Sequence, residues 1–143
     1  MEVRFYDSVD DALLKFAVII AKADGKWVFC KHRERNTFEI PGGHREPGEA
    51  IDDTAARELQ EETGARGFTL KPVCVYSVTG KNRVNDTGEE MYGKLYYAEI
   101  SGFDRELHSE MERVCLFDEL PEALTYPQIQ PRLVQEARRR GYV

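Results

Sequence analysis

The sequence of 143 residues predicts an α+β fold, and three observations predict it. Short β-prone runs come first, one long helical pattern interrupts them, and further strands precede a closing helix. That order favours an α+β sandwich over a doubly wound parallel sheet. The composition, 41% hydrophobic and 32% charged, suits one compact domain spanning 1–143. The one sizeable apolar run, Phe16-Ala17-Val18-Ile19-Ile20-Ala21, falls far short of the roughly 18–20 residues that span a bilayer, so it reads as a buried strand.

Phe16 to Ala21 and Trp27 to Lys31 flank Asp24-Gly25, a turn signal that predicts an antiparallel hairpin. Thr37 to Ile40 is a short extended stretch expected to stop at Pro41-Gly42-Gly43. A helix is expected from Ala50 to Thr63, with Gly64 placed to end it. Val73 to Val78 and Met91 to Ile100 read as the strands of a long hairpin whose polar connection, Thr79 to Glu90, forms a mobile tip. Val114 to Phe117 is the last expected strand, and Gln130 to Arg140 has the spacing of a closing helix that Gly141 terminates.

The net charge of -6 and pI near 5.2 argue against a protein that wraps polyanionic nucleic acid, so no stable nucleic-acid complex is expected. A single phosphorylated small molecule remains open. Cys30, Cys74 and Cys115 are too far apart for a zinc knuckle and odd in number, and they read as buried thiols. The opening Met1-Glu2-Val3-Arg4 lacks the order of a secretory signal, which makes a cytoplasmic location the expectation. Asn85-Asp86-Thr87 and Gly80-Lys81-Asn82 resemble a glycosylation acceptor and the end of a phosphate-binding loop. The first lacks a secretory route and the second its upstream glycine and following hydroxyl.

The chemistry gathers on the first helix. At about 100° per residue, with Glu58 at zero, Ile51, Ala55 and Leu59 fall at about 20°, 60° and 100°, a stripe suited to packing on a sheet. On the same scale Glu62 falls at about 40°, inside that stripe, and Glu61 at about -60°. Three acids at i, i+3 and i+4 therefore share one helix edge and repel one another. A solvated acidic face accounts for such a pattern in general. Here one acid intrudes into an apolar stripe, and a hard divalent cation with oxygen ligands is the economical compensation.

The segment resembles the Nudix family. The Nudix box reads Gly, five residues, Glu, seven residues, Arg-Glu, an aliphatic residue, any residue, Glu-Glu, any residue, Gly and a small or aliphatic residue. Gly43, Glu49, Arg57, Glu58, Leu59, Glu61, Glu62, Gly64 and Ala65 meet every fixed position over 43–65. The strands before the box, and the strands and helix after it, are similar to the MutT-type branch. The resemblance implies an α/β/α sandwich with a mixed central sheet, and metal-dependent hydrolysis of a nucleoside diphosphate linked to another group. It implies Mg²⁺, with Mn²⁺ as a substitute. By position, Glu58 and Glu62 match metal ligands, Glu61 a ligand or the holder of the attacking water, and Gly42 a backbone carbonyl ligand. Glu49 and Arg57 match a pair that orients the loop on the helix. Such metals neutralise pyrophosphate charge and acidify a bound water, and clustered carboxylates supply both cage and proton acceptor.

Outside the box, Lys31-His32-Arg33-Glu34-Arg35 could contact phosphates, with Lys31 and Arg33 the chosen candidates, or form a solvated turn. Glu110 and Glu112 could add a carboxylate to the metal or water. Phe38, Tyr76 and Tyr126 could stack on a base or serve the core. The expected substrate is a small nucleotide: a nucleoside triphosphate, including an oxidised purine one, cleaved to monophosphate and pyrophosphate. ADP-ribose, a dinucleoside polyphosphate and a 5′-triphosphate RNA end are the alternatives. A nucleotide-binding regulator without turnover is a further reading, against which the intact carboxylate set argues.

Overall fold

The computed structural model describes residues 1–82, 85–104 and 111–143, with side chains from 114 onward in the last segment. The chain begins with β1 (Glu2–Tyr6), which the sequence reading did not anticipate, and a single 3-10 turn at Asp11–Leu13. β2 (Leu14–Ala23) and β3 (Lys26–His32) form the expected hairpin. Asp24 and Gly25 both have positive φ, 52° and 74°, the backbone twist that a two-residue connection needs.

β4 (Phe38–Glu39) pairs with β3. Beyond it the structure departs from expectation, because β5 (Gly42–His44) lies antiparallel on β2, in the stretch read as a break. Glycine permits this contact: a Cβ on Gly42 would stand 2.6 Å from the Ala17 carbonyl oxygen. An interior strand glycine often marks such a close backbone approach.

α1 (Ile51–Thr63) ends at Gly64 in the left-handed conformation, its N–H donating to the Gln60 carbonyl at 2.9 Å. Ala50 offers no capping side chain. β6 (Ala65–Thr79) starts immediately afterwards and pairs along its length with β7 (Met91–Phe103), far longer than the Val73–Val78 run predicted. Gly67, Lys71 and Pro72 are poor strand formers, so pairing with β7 imposes the first half of β6, with irregularities at Gly67 and after Pro72. Of the expected mobile tip between these strands, Arg83 and Val84 lie outside the described residues. β8 (Met111–Phe117) pairs with β3, and α2 (Gln130–Arg139) closes the chain.

Among the described residues these strands make one eight-stranded mixed sheet, ordered β1-β6-β7-β2-β3-β4, with β5 on β2 and β8 on β3. The parallel β2–β7 pair is central. Side chains alternate along it. Leu95 and Tyr97 face α2 with Leu133, Val134 and Ala137, whereas Tyr96, Ala98 and Ile100 face α1 with Ile51, Ala55 and Leu59. The result is the α/β/α sandwich. Among the described residues no helix is long and apolar enough to cross a membrane. Cys30 and Cys74 are buried thiols and Cys115 is half-buried.

Candidate active site

α1 lays Ile51, Ala55 and Leu59 on the sheet, and that seating carries the edge with Glu58 and Glu62 against β5. Glu62 Oε1 accepts a hydrogen bond from the Gly42 N–H at 2.6 Å. The Glu58 carboxylate lies directly over Gly43, where a Cβ would meet its carbon at 2.3 Å and its oxygens at 2.5 Å. Both glycines are therefore spatial requirements: one brings the backbone onto β2, the other leaves room for a carboxylate.

Arg57 fans its donors across the site. Its Nε and Nη2 meet the two Glu49 oxygens at 2.8 and 3.0 Å, its Nη1 meets Glu58 at 2.8 Å and Glu61 at 3.3 Å, and Nη2 also reaches the His44 carbonyl at 3.0 Å. Glu49 further accepts from Thr54 Oγ1 at 2.7 Å and the Glu46 N–H at 3.1 Å. The Arg57 hydrogen bonds, then Thr54, hold the Glu49 carboxyl down to about 2. Thus Glu49 and Arg57 pin the loop over 44–50 to the helix.

The three clustered acids are not compensated alike. Glu58 and Glu61 find the positive charge of Arg57; burial still raises Glu58, against the pull of Arg57. Glu61 is half exposed. Among the described residues Glu62 has only the Gly42 amide, and desolvation, with Glu58 and other acids adding, pushes it up to about 9. The buried Cys30 thiol beneath it donates to the Glu62 backbone carbonyl at 3.4 Å. Among the described residues no three His, Cys, Asp or Glu side chains already form a metal cage. The donor chemistry nonetheless fits a hard cation, because a carboxylate withdrawn from water beside other carboxylates gains from a nearby positive charge.

A cavity of about 230 Å³ runs from Gly42, Gly43 and Glu62 to the α2 face of the sheet, where Phe16, Tyr76 and Tyr126 line it. Phe38 lies outside that lining and packs edge-on against Phe117 at 5.0 Å. Lys31 and Arg33 are also outside it, while His32 and Arg35 of the same basic segment line it, with Arg35 Nη1 bonded to Glu39 Oε1 at 2.8 Å. Glu110 lies outside the described residues, as does the side chain of Glu112. Glu39 and Gln130 were not anticipated at this cavity, since an isolated polar residue in a short strand or at a helix start carries no sequence signal.

A box of acids set on a helix of an α/β/α sandwich, against a glycine strand, defines a class of hydrolase, and the NUDIX domain family matches residues 13–137. The chain belongs to that family. It is an enzyme that hydrolyses pyrophosphate bonds in nucleoside diphosphate-linked compounds with a divalent metal. It is 37% identical over 126 residues, 87% of this chain and 75% of the relative, to YtkD of Bacillus subtilis (strain 168), whose name proposes an 8-oxo-dGTP diphosphatase. It is 39% identical over 64 residues to the ADP-ribose pyrophosphatase of the same strain, covering 42% of this chain and 35% of that one. Its fold matches the crystal structure of a mutant of the Bacillus subtilis pyrophosphohydrolase BsRppH with a TM-score of 0.79 and 27% identity, over 99% of this chain and 92% of the other.

Proposed function

We propose that this chain, as one domain, is a Mg²⁺-dependent pyrophosphohydrolase that cleaves a purine nucleoside triphosphate, an oxidised one included, to monophosphate and pyrophosphate. The observation that carries this reading is the continuity between the Glu62 carboxylate and the aromatic-lined cavity: a base enclosed by Phe16, Tyr76 and Tyr126 would leave its phosphates beside Glu58 and Glu62. The length of the match to YtkD supports the triphosphate over ADP-ribose.

Glu58, Glu61, Glu62 and the Gly42 carbonyl would hold the metal, with Mn²⁺ as a substitute. Bound there, the ion supplies charge neutralisation at the anhydride and a more acidic water. The chain's own residues do the rest. Arg57 orients Glu58 and Glu61 through its Nη1, and Glu49 fixes Arg57 in turn. A carboxylate of the cluster takes the proton of the attacking water, and the apolar cavity excludes bulk solvent from the base. Of the basic segment, His32 and Arg35 line the same cavity.

A panel of 8-oxo-dGTP, dGTP, ADP-ribose, a dinucleoside tetraphosphate and a 5′-triphosphate RNA, each with Mg²⁺ and with products identified, tests the proposal. Pyrophosphate and a purine monophosphate from the triphosphates are expected. A preference for ADP-ribose by orders of magnitude would overturn it, as would binding without any metal-dependent product.

A further inference from the structure

Gly93 lies in the sheet between two aromatic residues of the cavity. It pairs with Phe16 of β2 on one side and Tyr76 of β6 on the other, and both of these line the cavity. Along β7 it shares a face with Leu95 and Tyr97, the face toward α2. Strands two places apart in a sheet are separated by about 9.5 Å, twice the spacing of neighbours. The Phe16 and Tyr76 ring centroids are nevertheless only 5.7 Å apart, so the rings lean together over β7. They lean into the space that a side chain at position 93 would fill: a Cβ there would stand 2.3 Å from Phe16 Cε2, 2.4 Å from Phe16 Cδ2 and 3.0 Å from Tyr76 Cε1. A glycine inside a strand lowers stability, so its presence in a buried ladder asks for a reason.

We propose that Gly93 is a specificity-determining position for the base: it lets the Phe16 ring lie across β7, which keeps the cavity deep enough for a bicyclic base. The inference rests on the nucleotide reading above and names the class of base, a purine over a pyrimidine. Gly93 acts through Phe16 and is a positioning residue. The β2 backbone is held between β5 and β7, and His44 stands edge-on beside the Phe16 ring at 6.1 Å. A methyl at 93 would therefore lift the ring into the cavity. At about 230 Å³ that space is already below the roughly 300–1,000 Å³ that enclose a drug-sized ligand, and a bicyclic base would lose room before a monocyclic one. In the wild type the larger ring system covers more of the aromatic surface and gains more from stacking on it.

The test measures binding by calorimetry with Mg²⁺, using guanosine and cytidine 5′-monophosphates and methylenediphosphonate, which carries no base. The wild type should bind the guanosine compound at least about fivefold more tightly than the cytidine one. In Gly93→Ala that ratio should fall to within about twofold through weaker guanosine binding, with methylenediphosphonate unchanged. Phe16→Val removes the ring atoms that a Cβ would meet. Alone it should weaken guanosine binding about fivefold or more, and Gly93→Ala added to it should cost no more than about twofold further, because the two changes share one contact. If Gly93→Ala does not fold, the double variant against Phe16→Val decides by itself. A wild-type ratio near one would overturn the proposal, as would a ratio that survives Gly93→Ala. Parallel losses for all three ligands, or a double variant clearly weaker than Phe16→Val, would overturn it too. Monophosphates have no anhydride to cleave. A wild type that shows the ratio but hydrolyses no nucleotide therefore contradicts the proposed function while leaving the role of Gly93 standing.

Discussion

At Glu62, burial beside other carboxylates favours the protonated form, and the Gly42 amide only partly offsets it. Its carboxyl is pushed from 4.5 to about 9. The folded metal-free protein therefore binds more protons than the unfolded chain between those values, and the contribution of Glu62 to stability falls as pH rises through that window. Glu62→Gln should flatten this loss, so a melting curve series in chelator at about pH 5 and about pH 8 should show a smaller drop for the variant than for the wild type. A divalent cation reverses the preference. Its binding at neutral pH should release about one proton, counted by calorimetry in two buffers of different ionisation enthalpy; tight binding with a count of zero would contradict the picture. Glu58→Gln and Glu62→Gln should each lower turnover by at least about a hundredfold, on the order of 3 kcal/mol, with the fold retained. Near-normal kcat in either would move the metal site elsewhere.

Two adjacent glycines separate fold from chemistry within one element. In β5 a Cβ on Gly42 would press on backbone, the Ala17 carbonyl at 2.6 Å and Val18 Cα at 2.9 Å. Val18 Cγ1, 2.7 Å away, can turn aside, but the two backbone atoms cannot move without opening the β2–β5 pairing. A Cβ on Gly43 would press instead on the Glu58 carboxylate, the free end of a side chain. Gly42→Ala should therefore lower the melting temperature, while Gly43→Ala should keep it within a few degrees and displace Glu58. Steady-state kinetics beside thermal melts read the difference: activity reduced at least about 10-fold with little change in stability for Gly43→Ala. Equal destabilisation by the two would show that β5 responds as a unit. On α1, Leu59 is fully buried against the sheet, and Leu59→Ala should cost about 2–5 kcal/mol in denaturant unfolding.

Over the whole molecule, stability in acid runs opposite to that at Glu62. Glu49 under Arg57, Glu90 under the hydroxyls of Ser77, Tyr6 and Tyr92, and Glu136 between Arg139 and Arg140 are each held down to about 2. Each contributes stability above the ordinary carboxylate range and loses it as pH falls toward 2. They sit in the box loop, on the β1–β6–β7 side of the sheet and on α2, so acid weakens all three layers together. The metal-free protein should then be most stable near about pH 5, with the maximum shifting upward when Mg²⁺ is added. A melting temperature that climbs steadily to pH 8 in chelator would refute this. The sequence alone determined the box and its family, the α+β class, the Asp24-Gly25 hairpin and both helices, because turn chemistry, helical period and fixed motif spacing are local. Tertiary structure decided what depends on distant partners. It paired β1 with β6, drew Ala65–Pro72, with its poor strand formers Gly67, Lys71 and Pro72, into a ladder with β7, and laid Gly42–His44 on β2. It also gave Glu58 and Glu61 to Arg57 while leaving Glu62, among the described residues, with a single amide, and set Gln130 in a cavity 68 positions along the chain from that glutamate (130 − 62). Pairing and burial are properties of two surfaces, and one stretch of sequence specifies only one of them.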